Sequence, residues 1–207
     1  MNEPAHQYVD PTVSRNKFDR ELAEYQSLEP DFRSRGWLLA RAFFPEILVV
    51  MCSTKTTPPA VVTGVLFDYT NYDAEPPSVK LVDPFTAEPY PASKLPTVLK
   101  RRVPAPAVEL AGLPLPPGVQ PQFFGEQPLM QWTGPDEIPF LCLAGVREYH
   151  DHPAHSGDAW ELHRAGGAGR LVRLLEVVDT YGLRPISGYN VTLTPQIVGF
   201  IQNETPE

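Results

Sequence analysis

Four of the five histidines, His150, His152, His155 and His163, fall within fourteen residues. The surrounding text, FLCLAGVREYHDHPAHSGDAWELHR, adds Cys142, Glu148, Asp151 and Asp158. Imidazole nitrogen, thiolate and carboxylate are the donors of zinc and its first-row neighbours, so the segment predicts one bound divalent metal, zinc foremost. Glu148, His150 and His152 stand at i, i+2, i+4, a spacing that in a strand sends all three to one face. Pro153 would end that strand, and a turn through Ser156 and Gly157 would return His155 over the same face, with Cys142 arriving from a preceding strand. Four ligands would close a structural site, whereas three and a water would leave a catalytic one. There is no C-x-x-C, no H-E-x-x-H and no Walker lysine, so the standard short signatures do not apply. Asp151 and Asp158 read as carboxylates that orient ligands or cap turns, because a metal-bound imidazole usually donates its second N–H to such a group. Cys52, alone in an apolar run, reads as an inert buried thiol.

The elements that must position this cluster can be read from periodicity. Phe18, Leu22 and Tyr25 recur at i, i+4, i+7 among Lys, Arg and Glu, which predicts an amphipathic helix over Ser14 to Leu28, capped by Ser14 or Asn16 and stopped near Pro30. Three β-rich runs follow, Trp37 to Phe44, Ile47 to Ser53 and Ala60 to Tyr69, and then a shorter one, Ser78 to Val82. They predict a four-stranded antiparallel meander, so residues 14–84 form a helix and its sheet. Twelve of the 25 prolines lie from Pro84 to Pro135. Missing N–H groups and fixed φ predict an extended wrap over residues 85–138, without regular helix or central strand. Leu110, Leu113, Leu115, Phe123 and Phe124 would lay it against the body. Residues 139–201 then carry the metal segment, a helix with Leu171, Leu174, Leu175 and Val178 on one face closed by Gly182, and a last strand from Val191 to Ile201. The whole chain of 207 residues reads as one α+β domain.

Apolar residues make up 42% and charged residues 20%, which excludes a disordered chain. Seventeen Lys and Arg against 25 Asp and Glu leave a net charge of −8, which repels phosphate backbones and argues against a nucleic-acid partner. No run is long and apolar enough for a bilayer, and the N-terminal residues lack a secretory core, so the expected location is the cytoplasm with no membrane partner. Two cysteines, Cys52 and Cys142, cannot make a disulfide scaffold.

Two stretches resemble known families. FDYTNYDAEPPSVKLVDP, Phe67 to Pro84, is similar to the strand, Tyr-Pro-x-x-Pro-Pro-x-Val turn and strand of the ubiquitin-conjugating enzyme and RWD superfamily, except that Asp73 replaces the proline after Tyr72. Cys142-Leu143, Trp160 and the Leu171 helix resemble, in order, the active cysteine, tryptophan and following helix of those enzymes. The gap from Cys142 to Trp160 is longer here, and no His-Pro-Asn precedes the cysteine. CLAGVREYHDHPAHSGDAWELHR closely resembles a bacterial family of predicted metal-binding domains with Cys, Glu, His, His ligands, associated with ubiquitin-like conjugation gene clusters. The resemblance implies an α+β fold of conjugating-enzyme or RWD type. It also implies Cys142 and Glu148 as ligands, with two histidines drawn from His150, His152, His155 and His163. The expected function is a zinc-binding adaptor of a bacterial ubiquitin-like modification system, partnered by a ubiquitin-like protein or its activating or conjugating enzymes. Two alternatives stand beside it: a conjugating enzyme with Cys142 as thioester nucleophile, and a metalloenzyme with an open zinc site.

Overall fold

A computed structural model of the chain describes residues 6–104 and 124–190. Helix α1, Pro11–Ser27, starts three residues before the expected Ser14. The Asp10 side chain accepts from the Thr12 N–H at 2.8 Å, and Pro11 sits in the first turn, where its missing donor costs nothing. Pro30 does the same for a second, short helix, α2, Glu29–Ser34, so it begins a helix where the sequence suggested an end. The buried face of α1 is Ser14, Phe18, Glu21 and Tyr25, with Leu22 half-buried beside it.

Strands β1, Trp37–Phe43, β2, Glu46–Ser53, β3, Ala60–Asp68, and β4, Ser78–Val82, form one antiparallel sheet in the order β1-β2-β3-β4. The expected meander is therefore present, each strand within a residue of its expected bounds. Ile47, Val49 and Met51 alternate along β2 and are fully buried, and Val65, Phe67, Val79 and Leu81 continue that layer on β3 and β4. Phe18 meets Phe44 and Tyr69 edge-on, each at 5.7 Å, which seats α1 on the sheet. Helix α5, Leu171–Val178, buries Leu171, Leu174, Leu175 and Val178, the stripe the sequence marked. It is succeeded by one wider turn over Asp179–Leu183 that contains Gly182.

The proline-rich stretch departs from expectation. Strands β5, Lys100–Pro104, and β6, Phe124–Pro128, pair as an antiparallel ribbon over five residues, with Pro104 and Pro128 at its ends, where a ladder tolerates proline. Phe124, expected against the body, is 53% exposed. Leu99, Leu129 and Met130, by contrast, join the main core. The short strands β7, Met130–Gln131, and β8, Phe140–Leu141, pair and lead directly to Cys142. Leu110, Leu113, Leu115, Phe123 and the expected strand Val191 to Ile201 lie outside the described residues.

The second departure concerns the histidine segment. It is helical: α3, Arg147–Asp151, a 3₁₀ turn, Pro153–His155, and α4, Glu161–Arg164. The strand expected through Glu148, His150 and His152 is not formed. Arg147 and Glu148, both good helix formers, open α3 and are tied down by the sheet, while Pro153 forces His152 into extended backbone and ends the helix. Residues two apart on a helix point to different sides, so the i, i+2, i+4 spacing does not gather these side chains.

Candidate metal centre

Cys142 follows β8, and its N–H donates to the Leu129 carbonyl at 2.8 Å, which fixes the residue against the core. Its thiol is half-buried, and burial pushes it above the ordinary thiol range, with the Arg101 charge pulling the other way. The Gln131 amide, on β7, donates to Cys142 Sγ at 3.1 Å. On the other side His155 Nε2 stands 3.5 Å from the sulfur. The backbone delivers His155 there through the turn after Pro153, where the His155 N–H donates to the His152 carbonyl at 2.9 Å. The Tyr149 ring then stacks on the imidazole at 3.9 Å.

His152 lies beside this pair, its ring 5.7 Å from that of His155 and 5.1 Å from Phe140. Its Nδ1 accepts from the Ala154 N–H at 3.3 Å. The remaining three candidates are engaged elsewhere. Both oxygens of Glu148 are taken at the start of β4, by the Ser78 hydroxyl and by the Val79 N–H at 3.4 Å. Both nitrogens of His150 face backbone carbonyls, Asp158 O at 2.8 Å and Ala144 O at 2.7 Å. His163 Nε2 meets Asp158 Oδ1 at 2.6 Å.

Asp158 thus ties His163 to Tyr149. Its other oxygen accepts from the Tyr149 hydroxyl at 2.6 Å. That hydrogen bond and the one from His163 hold the Asp158 carboxyl below the usual carboxylate range, and the same Asp158 contact pushes the Tyr149 phenol up to about 12. Asp158 therefore holds Tyr149, and Tyr149 holds His155 against Cys142. Asp151, the other expected orienting carboxylate, is pushed up by burial and makes no hydrogen bond to a histidine among the described residues.

A zinc ion with Zn–S of about 2.3 Å and Zn–N of about 2.0 to 2.1 Å in tetrahedral array sets sulfur and nitrogen about 3.5 Å apart. The Cys142 to His155 separation has that value. One shared metal or a thiol–imidazole hydrogen bond would each give this separation, and the His152 ring lies 5.7 Å from that of His155. Among the described residues no three His, Cys, Asp or Glu side chains converge as they stand. Nothing in the residue pattern marks Gln131, which lies in the proline-rich text. Tyr149 sits inside the histidine cluster, and an aromatic flanked by candidate ligands was the available cue.

Fold and site together define an α+β protein, with an antiparallel four-stranded sheet and a paired cysteine and histidine beyond its edge. The chain belongs to the Y4jH family, whose model matches residues 9–186. It is 37% identical over 201 residues to the uncharacterized protein y4jH of Sinorhizobium fredii (strain NBRC 101917 / NGR234), an alignment that covers 96% of each chain. No helix among the described residues is long and apolar enough to cross a membrane.

Proposed function

We propose that this chain is a zinc-binding adaptor of a bacterial ubiquitin-like protein modification system, built on a conjugating-enzyme or RWD-type fold. The observation that carries the metal is the 3.5 Å approach of His155 Nε2 to Cys142 Sγ. Cys142, His155 and His152 would hold the ion, with His152 yielding its weak bond to the Ala154 N–H so that Nδ1 carries the proton. Glu148, His150 and His163 are better accounted for as parts of the frame. The helix followed by a meander, with Tyr69 and Tyr72 packed edge-on at 5.0 Å in the turn before β4, supports the RWD-type reading.

Two features favour an adaptor over a conjugating enzyme. Cys142 is bonded by Gln131 and flanked by His155, and burial raises its thiol, whereas a thioester nucleophile needs an exposed sulfur with a depressed pKa. Beside it a groove of about 640 Å³ runs between Met130, Trp132, Ile138, Phe140 and His152, in which Trp132 is 41% and Ile138 48% exposed. An aromatic and aliphatic groove of this kind suits a protein partner.

A second reading, a metalloenzyme with an open site, follows if Cys142, His155 and His152 are the whole protein ligand set, because three ligands leave a coordination position to be filled from outside. The test is incubation of the full chain with a ubiquitin-like protein, its activating enzyme and ATP. The adaptor reading expects non-covalent binding weakened by Trp132→Ala, and no thiol-sensitive adduct. An adduct lost in Cys142→Ala would overturn it in favour of the conjugating enzyme. Metal-dependent hydrolysis without binding would overturn it in favour of the metalloenzyme.

A further inference from the structure

The residues after Cys142 wall a second recess, separate from the groove. Ala144 and Gly145 border a cavity of about 270 Å³ whose apolar floor includes Leu129 and Leu174, which are 3% and 2% exposed. Arg101 from β5 and Arg173 from α5 line the same cavity. Neutral partners hold both: Arg101 Nε donates to Gln127 Oε1 at 2.8 Å, and Arg173 Nη1 to the Gly166 carbonyl at 2.9 Å. Neither has a carboxylate within 4.0 Å among the described residues. Elsewhere in this chain of net charge −8, Arg35 pairs with Glu176 and Asp179, Arg147 with Asp68 and Arg184 with Asp179. Tyr181 and His163 complete the lining. The His163 ring nitrogen is held by Asp158, whereas the Tyr181 hydroxyl makes no hydrogen bond among the described residues.

Two unpaired guanidiniums over an apolar floor have a definite chemical complement. We propose that this cavity binds a carboxylate carried on a short apolar stem, its head held by Arg101 and Arg173 and its stem against Leu129 and Leu174. Guanidinium forks match a planar carboxylate, and charge-assisted bonds of this kind are about twice as strong as neutral ones. A bare phosphate would leave the leucines without a partner. The volume lies just below the range of roughly 300 to 1,000 Å³ typical of drug-sized ligands, which limits the occupant to a small acid or the last residues of a polypeptide. Both sources present the same group, and the proposal stands apart from the metal reading.

The test titrates the full chain, followed by backbone amide NMR shifts, with butyrate, butyramide, inorganic phosphate, and the peptide acetyl-Ala-Ala-Val as free acid and as amide. Butyrate and the free-acid peptide should shift the amides of Arg101, Gly145 and Arg173, while butyramide and the peptide amide should not. Tighter binding by the peptide acid assigns a chain end, and tighter binding by butyrate a free acid. Arg101→Met with Arg173→Met should weaken either by about tenfold or more, with the melting temperature as a check that these exposed positions leave the fold intact. Equal shifts from butyramide, or phosphate binding as well as butyrate, would overturn the proposal on the native protein alone. Unchanged affinity in the folded double variant would also overturn it.

Discussion

Arg147 opens the helix that carries Tyr149, and its side chain is only 11% exposed. The guanidinium donates to the Pro76 carbonyl at 3.3 Å, the Asp68 carbonyl at 3.4 Å and the Thr70 carbonyl, and it lies 3.7 Å from Asp68 Oδ2 and 3.5 Å from Glu75 Oε2. Arg147→Met keeps the length of the stem and removes every one of these bonds. Three carbonyls, one at the end of β3 and two in the loop before β4, lose a charged donor, at about 1 kcal/mol or more each where water cannot replace it. The two carboxylates are 30% and 35% exposed, so water screens their loss and they add little. The expected cost is about 2 to 4 kcal/mol, which for a chain of this size lowers the melting temperature by roughly 5 to 15 °C. Urea denaturation followed by circular dichroism gives the same quantity if heating is irreversible. Arg147→Lys should recover a minor part, because an ammonium cannot fan out to three carbonyls. A melting temperature within about 2 °C of the parent for Arg147→Met would mean that these bonds do not hold the loop, since thermal shifts of that size correspond to less than about 1 kcal/mol.

Three further outcomes follow. Glu21 is fully buried and accepts from the Leu171 N–H at 3.1 Å and the Tyr72 hydroxyl at 3.3 Å, so Glu21→Ala should destabilise by about 2 to 4 kcal/mol in urea titration. A Cβ at Gly145 would stand 2.0 Å from the Ala168 carbonyl oxygen, so Gly145→Ala should cost about 3 kcal/mol or more, or prevent soluble expression. Burial raises the Cys142 thiol, which lowers its thiolate fraction at a given pH. In metal-free protein, iodoacetamide should therefore alkylate Cys142 more slowly than free cysteine at neutral pH, accelerating as pH rises; a faster reaction at neutral pH would contradict the assignment.

How much of this was legible in the sequence depends on the range of the forces involved. The meander and the α5 stripe follow from local periodicity, which survives folding because each element buries the face its own residues define. Glu21 was hidden because a charged residue on a helix normally faces water; its partners Leu171 and Tyr72 are 150 and 51 residues away. The β5–β6 ribbon was masked by prolines that sit at its ends, outside the positions that need N–H donors. The histidine cluster was visible as composition, but its sorting was not. Glu148, His150 and His163 are drawn off by Ser78, by backbone carbonyls and by Asp158 once the segment folds as α3 and α4. His155 alone is delivered to Cys142, by a turn that Pro153 initiates and a ring stack that no spacing rule encodes.

Zinc content, measured by elemental analysis of the full chain purified from zinc-replete medium, tests the Cys142 and His155 pair most directly. About one equivalent is expected in the parent chain, Cys52→Ser and His163→Ala, and well under half an equivalent in Cys142→Ser and His155→Ala, since each of the latter two removes a donor that must bind deprotonated. A parent chain free of metal would contradict it. So would equal zinc loss in His163→Ala and His155→Ala.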